Sequence, residues 1–167
     1  MESLLNNTIY VFTDGGIRNQ NKKSKDSSVT TLGSHAYILY LNGKEYEHVE
    51  CQRNSTSNRE ELLGILHGLQ KLKRKDLPVI VVSDSQYCVN SLSLWLPKWK
   101  RNKWISSTKE PVKNRDILES LDELISEFDN ITFEWTKGHS GHPYNERCDK
   151  LCQEALKEFE KTITKSE

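Results

Sequence analysis

The chain has little of what would anchor or staple a small protein. No apolar run approaches the roughly 20 residues of a membrane span, and no secretory leader opens the sequence. The expectation is an intracellular, cytoplasmic protein with no membrane partner. Its 4 cysteines, Cys51, Cys88, Cys148 and Cys152, form no CxxC pair. That argues against a disulfide framework. His139, His142, Cys148 and Cys152 have tolerable pair spacings for zinc, but only five residues separate the two pairs, short for a finger. Cys148 and Cys152 also sit at helical spacing among apolar residues, as core cysteines do, so no structural zinc is expected. Net charge is missing too, because 24 basic and 24 acidic residues cancel.

What charge there is lies unevenly. Residues 91–115 carry seven Lys or Arg against one acid, and residues 116–167 carry thirteen acids against six bases. A local basic patch on a neutral protein points to a polyanionic partner. At 167 residues, 35% of them hydrophobic, a single domain over 1–167 with its own core is expected.

Ile9 to Phe12 are strand-forming types, and the run ends in Thr13-Asp14-Gly15-Gly16. This reads as a buried strand that delivers Asp14 to its C-terminal edge, with the glycines allowing a turn or a close approach. Residues 17–33, with Lys22, Lys23 and Lys25, read as an exposed loop insertion. Strands at 36–41 and 46–51 flank Asn42-Gly43, a strong hairpin signal. Strand one plus a hairpin makes a three-stranded antiparallel meander.

Ser57 opens a helix, with Glu60 three residues on as the partner in a capping box. Leu62, Ile65, Leu66 and Leu69 form its apolar stripe, and Gly64 and Gly68 lie in line with Glu61. Small residues there let the helix press on the sheet, with Glu60 spent on the cap and Glu61 left for chemistry. Val79 to Val82 read as a strand buried on both faces that delivers Asp84 at its end. Asp84 on its own could equally cap a helix starting near Ser85.

Residues 94–115 interleave Trp95, Trp99 and Trp104 with Lys98, Lys100, Arg101 and Lys103. Indoles among cations suit a nucleic-acid groove; a satellite core with snorkelling lysines is the weaker alternative. A helix from about 117 to 128 and a strand at 131–136, alternating Ile131, Phe133 and Trp135, follow. Gly138 and Gly141 flank a loop holding the titratable His139, and Asp149 lies in the first turns of the last helix. The tail from about Lys161 is expected to fray.

Asp14, Glu61, Asp84 and Asp149 therefore converge. Four carboxylates at one place repel each other unless cations neutralise them. Hard oxygen donors suit Mg²⁺ or Mn²⁺, and clustered acids fit a two-ion centre with metals roughly 3.5–4 Å apart.

The blocks Thr13 to Gly16, Ser57-Asn58-Arg59-Glu60-Glu61-Leu62, Ser83-Asp84-Ser85-Gln86-Tyr87 and Lys137 to Asp149 resemble type 1 ribonuclease H, in order and across nearly the whole chain. The resemblance implies an α/β, ribonuclease H-like fold: a five-stranded mixed sheet, three strands antiparallel and two parallel, with helices on both faces. It implies endonucleolytic hydrolysis of the RNA strand of an RNA–DNA hybrid, leaving 5′-phosphate and 3′-hydroxyl ends. By motif position, Asp14, Glu61, Asp84 and Asp149 would hold two Mg²⁺ ions, with Mn²⁺ as substitute, and His139 would assist proton transfer or product release. Gly15, Thr56, Ser57, Asn58 and Gln86 would meet the hybrid, Ser57, Asn58 and Gln86 reading the RNA strand. Trp95, Lys98, Trp99, Lys100, Arg101, Lys103 and Trp104 would bind the DNA strand's backbone as a basic protrusion. The protein would act as a monomer. A non-catalytic hybrid-binding module and a related DNA nuclease or integrase are the competing readings. The intact acid set argues against the first, and the 2′-hydroxyl-reading positions argue against the second.

Overall fold

The strand-forming run at Ile9 continues well past Asp14. In the computed structural model, which describes residues 4–19, 31–138 and 141–165, β1 spans Ile9–Asn19, β2 Thr31–Leu41 and β3 Lys44–Arg53. Asp14 is therefore mid-strand, and Gly15-Gly16 make no turn. β1 pairs antiparallel with β2 from Tyr10↔Tyr40 to Asn19↔Thr31. The expected loop over 17–33 is thus shorter at both ends, and residues 20–30 lie outside the described residues. Burial is the reason at the far end: Leu32 is sealed against Leu156 and Ile163. Asn42 and Gly43, both at positive φ, close the β2–β3 hairpin at Leu41↔Lys44, as a type I′ turn requires.

α1 (Ser57–Lys71) is capped by Thr56, whose side chain accepts from the Arg59 N–H. The expected capping box between Ser57 and Glu60 does not form. Glu60 lies beyond the reach of the cap and is fully buried, accepting from Ser55 Oγ at 2.5 Å and facing His35 Nδ1 at 3.1 Å. β4 (Val79–Ser83) pairs parallel with β1 and with β5 (Ile131–Trp135), giving the order β3-β2-β1-β4-β5. α2 (Gln86–Asn90) runs through a π turn into α3 (Leu96–Arg101), whose Pro97 cannot donate to the preceding turn. α4 (Arg115–Ser126) and α5 (Pro143–Lys165) complete the chain.

Alternation along β1 sorts the layers. Ile9 and Val11 face α1 and α4 with Leu62, Ile65, Leu118 and Leu121. Tyr10 and Phe12 face α5 with Cys148 and Cys152. Those two thiols sit in the core as expected, donating to the Phe12 and Asp14 carbonyls, and burial pushes both pKa values upward. The tail does not fray at Lys161. Its Ile163 is 4% exposed because it extends the stripe of Cys148, Cys152 and Leu156 by two further turns. The alternation expected in β5 stops short: Trp135 is exposed, its indole N–H donating to the Asp84 carbonyl.

α1 lies close on β1 because glycines admit it. A Cβ on Gly15 would stand 2.6 Å from the Glu60 carbonyl carbon and the Glu61 nitrogen. A Cβ on Gly16 would meet nothing within 4 Å. Gly15→Ala is therefore expected to cost about 1–3 kcal/mol through forced backbone displacement, while Gly16→Ala stays within about 0.5 kcal/mol of the parent. Urea denaturation of the two variants checks this; equal midpoints would contradict the close approach.

Candidate active site

β1 and β4 are parallel neighbours, so their C-terminal halves point the same way at the place where the sheet changes from antiparallel to parallel. Such a switch point opens a crevice at the strand ends. Asp14 on β1, Asp84 just after β4 and Glu61 in the first turns of α1 meet there, with ligand oxygens within 4.8 Å of one another. Asp149, on the second turn of α5, lines the same cleft of about 210 Å³. The four acids expected together are thus together. Ser85, not Asp84, caps α2, which leaves the Asp84 carboxylate to the cleft.

Asp14 and Glu61 are only 5% and 7% exposed. Burial, then the charges of Asp84 and Asp149, push the Asp14 pKa up to about 8. Burial, then Asp14 and Asp84, hold Glu61 well above the usual carboxylate range. Among the described residues Glu61 Oε2 has no hydrogen-bond partner, a costly state for a buried oxygen. Burial, crowding and an orphaned oxygen are what a divalent cation relieves, and an all-carboxylate donor set is hard enough for Mg²⁺ or Mn²⁺.

Asn145 was not singled out from the sequence. Its side-chain amide donates to the Thr13 and Val82 carbonyls at 3.1 and 2.9 Å, tying β1 to β4 one residue before Asp14 and two before Asp84. A polar residue on the otherwise apolar stripe of α5 was the available signal. Lys137, His142 and Glu146 also line the cleft. His139 lies outside the described residues.

The other expected contact residues form two exposed groups. Thr56, Ser57 and Asn58 sit at the start of α1, and Gln86 opens α2. Trp95, Lys98, Lys100, Arg101 and Lys103 are exposed on the arm that includes α3. Trp99 and Trp104 are half-buried and pack against the main core. Lys100 pairs with Asp122 at 2.9 Å. Arg59 reaches from α1 to Asp116 on α4 with two bonds of 3.1 and 2.7 Å, fixing the root of the arm against α1.

A model of the RNase H family matches residues 6–157 of this chain. The chain belongs to the RNase H family. Ribonuclease H from Hydrogenovibrio crunogenus is 38% identical over 90% of this chain and 97% of that protein. Ribonuclease HI from Neisseria meningitidis serogroup B is 36% identical over 93% and 99%. The PFV RNase H domain superposes with a TM-score of 0.69 at 24% identity, covering 87% of this chain and 92% of that one. The chain is accordingly an enzyme, an endonuclease that cleaves the RNA strand of RNA–DNA hybrids.

The pKa pattern has a sign that can be tested. An acid with a folded-state pKa raised from about 4 to about 8 costs nothing below the unfolded pKa, and its cost grows as pH rises through that interval. Without divalent metal, the enzyme is expected to lose stability from pH 4 to pH 8. Asp84→Asn removes a charge facing both Asp14 and Glu61 and is expected to raise the metal-free Tm at pH 8 by a few degrees. The gain should vanish at pH 4. Calorimetry in EDTA at both pH values checks this, and an equal or lower Tm at pH 8 would refute the repulsion.

Proposed function

We propose that Asp14, Glu61, Asp84 and Asp149 hold two Mg²⁺ ions, with Mn²⁺ as substitute, and that the chain uses them to hydrolyse the RNA strand of a hybrid to 5′-phosphate and 3′-hydroxyl ends. The observation that carries this reading is the meeting of three carboxylates, two of them buried, around an unsatisfied Glu61 oxygen. When bound, such ions supply charge neutralisation, orientation of the scissile phosphate and a nucleophilic water at neutral pH.

The chain's own groups do the rest. Asp14 and Asp84 are carried by paired strands whose spacing Asn145 fixes, so the acids need no reorganisation when the phosphate arrives. Glu61 comes in on a helix seated against the sheet through Gly15, Gly64 and Gly68. The first turn of α1 offers free backbone N–H groups beside Thr56, Ser57 and Asn58, a natural seat for phosphate oxygens and for hydrogen bonds to the 2′-hydroxyl. Gln86 approaches from α2, and Lys137 brings a cation to the cleft wall. His139 would accept or deliver a proton near the departing product. Trp95, Lys98, Arg101 and Lys103 would follow the DNA strand's backbone, with Trp99 and Trp104 stiffening the arm from within.

The test uses one labelled RNA strand annealed to DNA, annealed to RNA, or left single, each with Mg²⁺ and with EDTA. Internal cuts in the hybrid alone, and only with metal, are expected. Asp84→Asn should lose at least about 10³-fold in rate, the scale of a removed catalytic charge contact, while hybrid binding changes little. Parental cutting by Asp84→Asn would overturn the assignment; retention of hybrid without cutting by the parent would favour the binding-module reading. Separately, Trp95→Ala with Lys98→Ala is expected to weaken hybrid binding and lower the salt slope by about one phosphate contact. Fluorescence anisotropy across a salt series measures it, and an unchanged slope would remove α3 from the interface.

A further inference from the structure

Away from the acid cleft, β2, β3 and α1 bring three further ligand-type side chains together. His35 on β2 and Glu50 on β3 are direct cross-strand partners. His67 comes down from α1, two turns after Glu60. His35 Nε2 lies 2.9 Å from His67 Nδ1. Glu50 Oε2 lies 3.6 Å from each of these nitrogens. We propose that His35, His67 and Glu50 form a second metal site, for a first-row transition cation of the Zn²⁺ class, that clamps α1 to the antiparallel half of the sheet.

Three features carry the assignment. The first is distance. Tetrahedral zinc with bonds of about 2.0–2.1 Å places its donors about 3.3–3.4 Å apart. The three separations here, 2.9, 3.6 and 3.6 Å, straddle that value, so a few tenths of an ångström of adjustment admits the ion. The second is tautomer. Glu60 already accepts from Ser55 Oγ and faces His35 Nδ1 at 3.1 Å. A buried carboxylate at Nδ1 keeps the proton on that nitrogen, and the Nε2 lone pair then points at His67 and Glu50. A carboxylate behind a histidine is the usual outer support of a metal-bound imidazole. The third is the fate of the proton. With His35 Nε2 as acceptor, the 2.9 Å contact has His67 Nδ1 donating; the cation takes the place of that proton, and the neutral His67 ring then carries its proton on Nε2, exchanged through solvent.

Donor chemistry selects the ion. Two imidazoles with one carboxylate suit zinc, copper or nickel, unlike the all-oxygen cleft that suits Mg²⁺. His48 Nε2 holds the other Glu50 oxygen at 2.7 Å, so Glu50 is oriented from behind as His35 is. His67 and Glu50 are 28% and 44% exposed, which leaves an entry path and a fourth position for water. Cys148 and Cys152 lie in the core on the α5 face and take no part. The consequence reaches Glu60, the neighbour of Glu61, through His35: an ion that fixes the His35 ring also fixes the group Glu60 faces at 3.1 Å.

The full chain is stripped with chelator, returned to millimolar Mg²⁺ and titrated with Zn²⁺ against a chromophoric chelator. The parent is expected to bind one more equivalent than His67→Ala, at an affinity at least about 100-fold above any residual uptake, and to gain several degrees in Tm that the variant does not. Co²⁺ should give the intense visible bands of a tetrahedral site in the parent alone. His67→Ala should cut hybrid in Mg²⁺ at the parental rate. Glu50→Gln, on an exposed strand position, is the second variant should His67→Ala fold poorly, and it should lose the same equivalent. Equal Zn²⁺ stoichiometry in parent and folded variants, or no Zn²⁺-dependent Tm difference between them, overturns the proposal.

Discussion

Three carboxylates whose oxygens lie within 4.8 Å of one another, two of them buried, are mutually repulsive, and everything around them serves to hold them there. Two come from parallel strands at the sheet's switch point and the third from a helix pressed onto the sheet. The hydrophobic layers formed by Ile9, Val11, Leu62 and Leu118 on one face and Phe12, Cys148 and Cys152 on the other supply the force. Asn145 supplies the alignment by bonding both strands. The site is a local loss of stability that the core offsets.

Adjacent residues on α1 show how one turn serves two purposes. Glu61 turns to the cleft, and Glu60 turns the other way to Ser55 and His35. Successive helix positions differ by about 100° in direction, so a pair of neighbouring glutamates cannot share one site. The two glutamates therefore connect α1 to both halves of the sheet, the parallel half beside the acid cleft and the antiparallel half that carries the His35 cluster.

Much of this was legible in the residues, and the failures have physical causes. Asp14, Glu61, Asp84 and Asp149 could be picked out because each stood beside a strand or helix signal that fixed its direction. Glu60 was misread because three-residue spacing from Ser57 satisfies the capping pattern, and only the actual helix start at Thr56 shows it one place too far along. The strands reach past Asp14 and before Ala36 because pairing between β1 and β2 and the burial of Leu32 outweigh the glycines and polar residues that read as a loop. Trp99 and Trp104 also pack, half-buried, against the core; composition records that an indole is present, not which of its faces is buried.

Periodicity and short motifs, local properties carried by neighbouring residues, were enough for the order of elements, the apolar stripe of each main helix and the family. Tertiary structure alone decided what converges. His35, Glu50 and His67 are far apart in the chain and lie in no motif, yet a strand register and the seating of one helix place them in contact. Asn145 likewise acquires its role only when two strands distant from it in sequence present their carbonyls to it. Contacts of this kind depend on distances between elements, and those distances are set by how glycines such as Gly15 and Gly68 let the layers close.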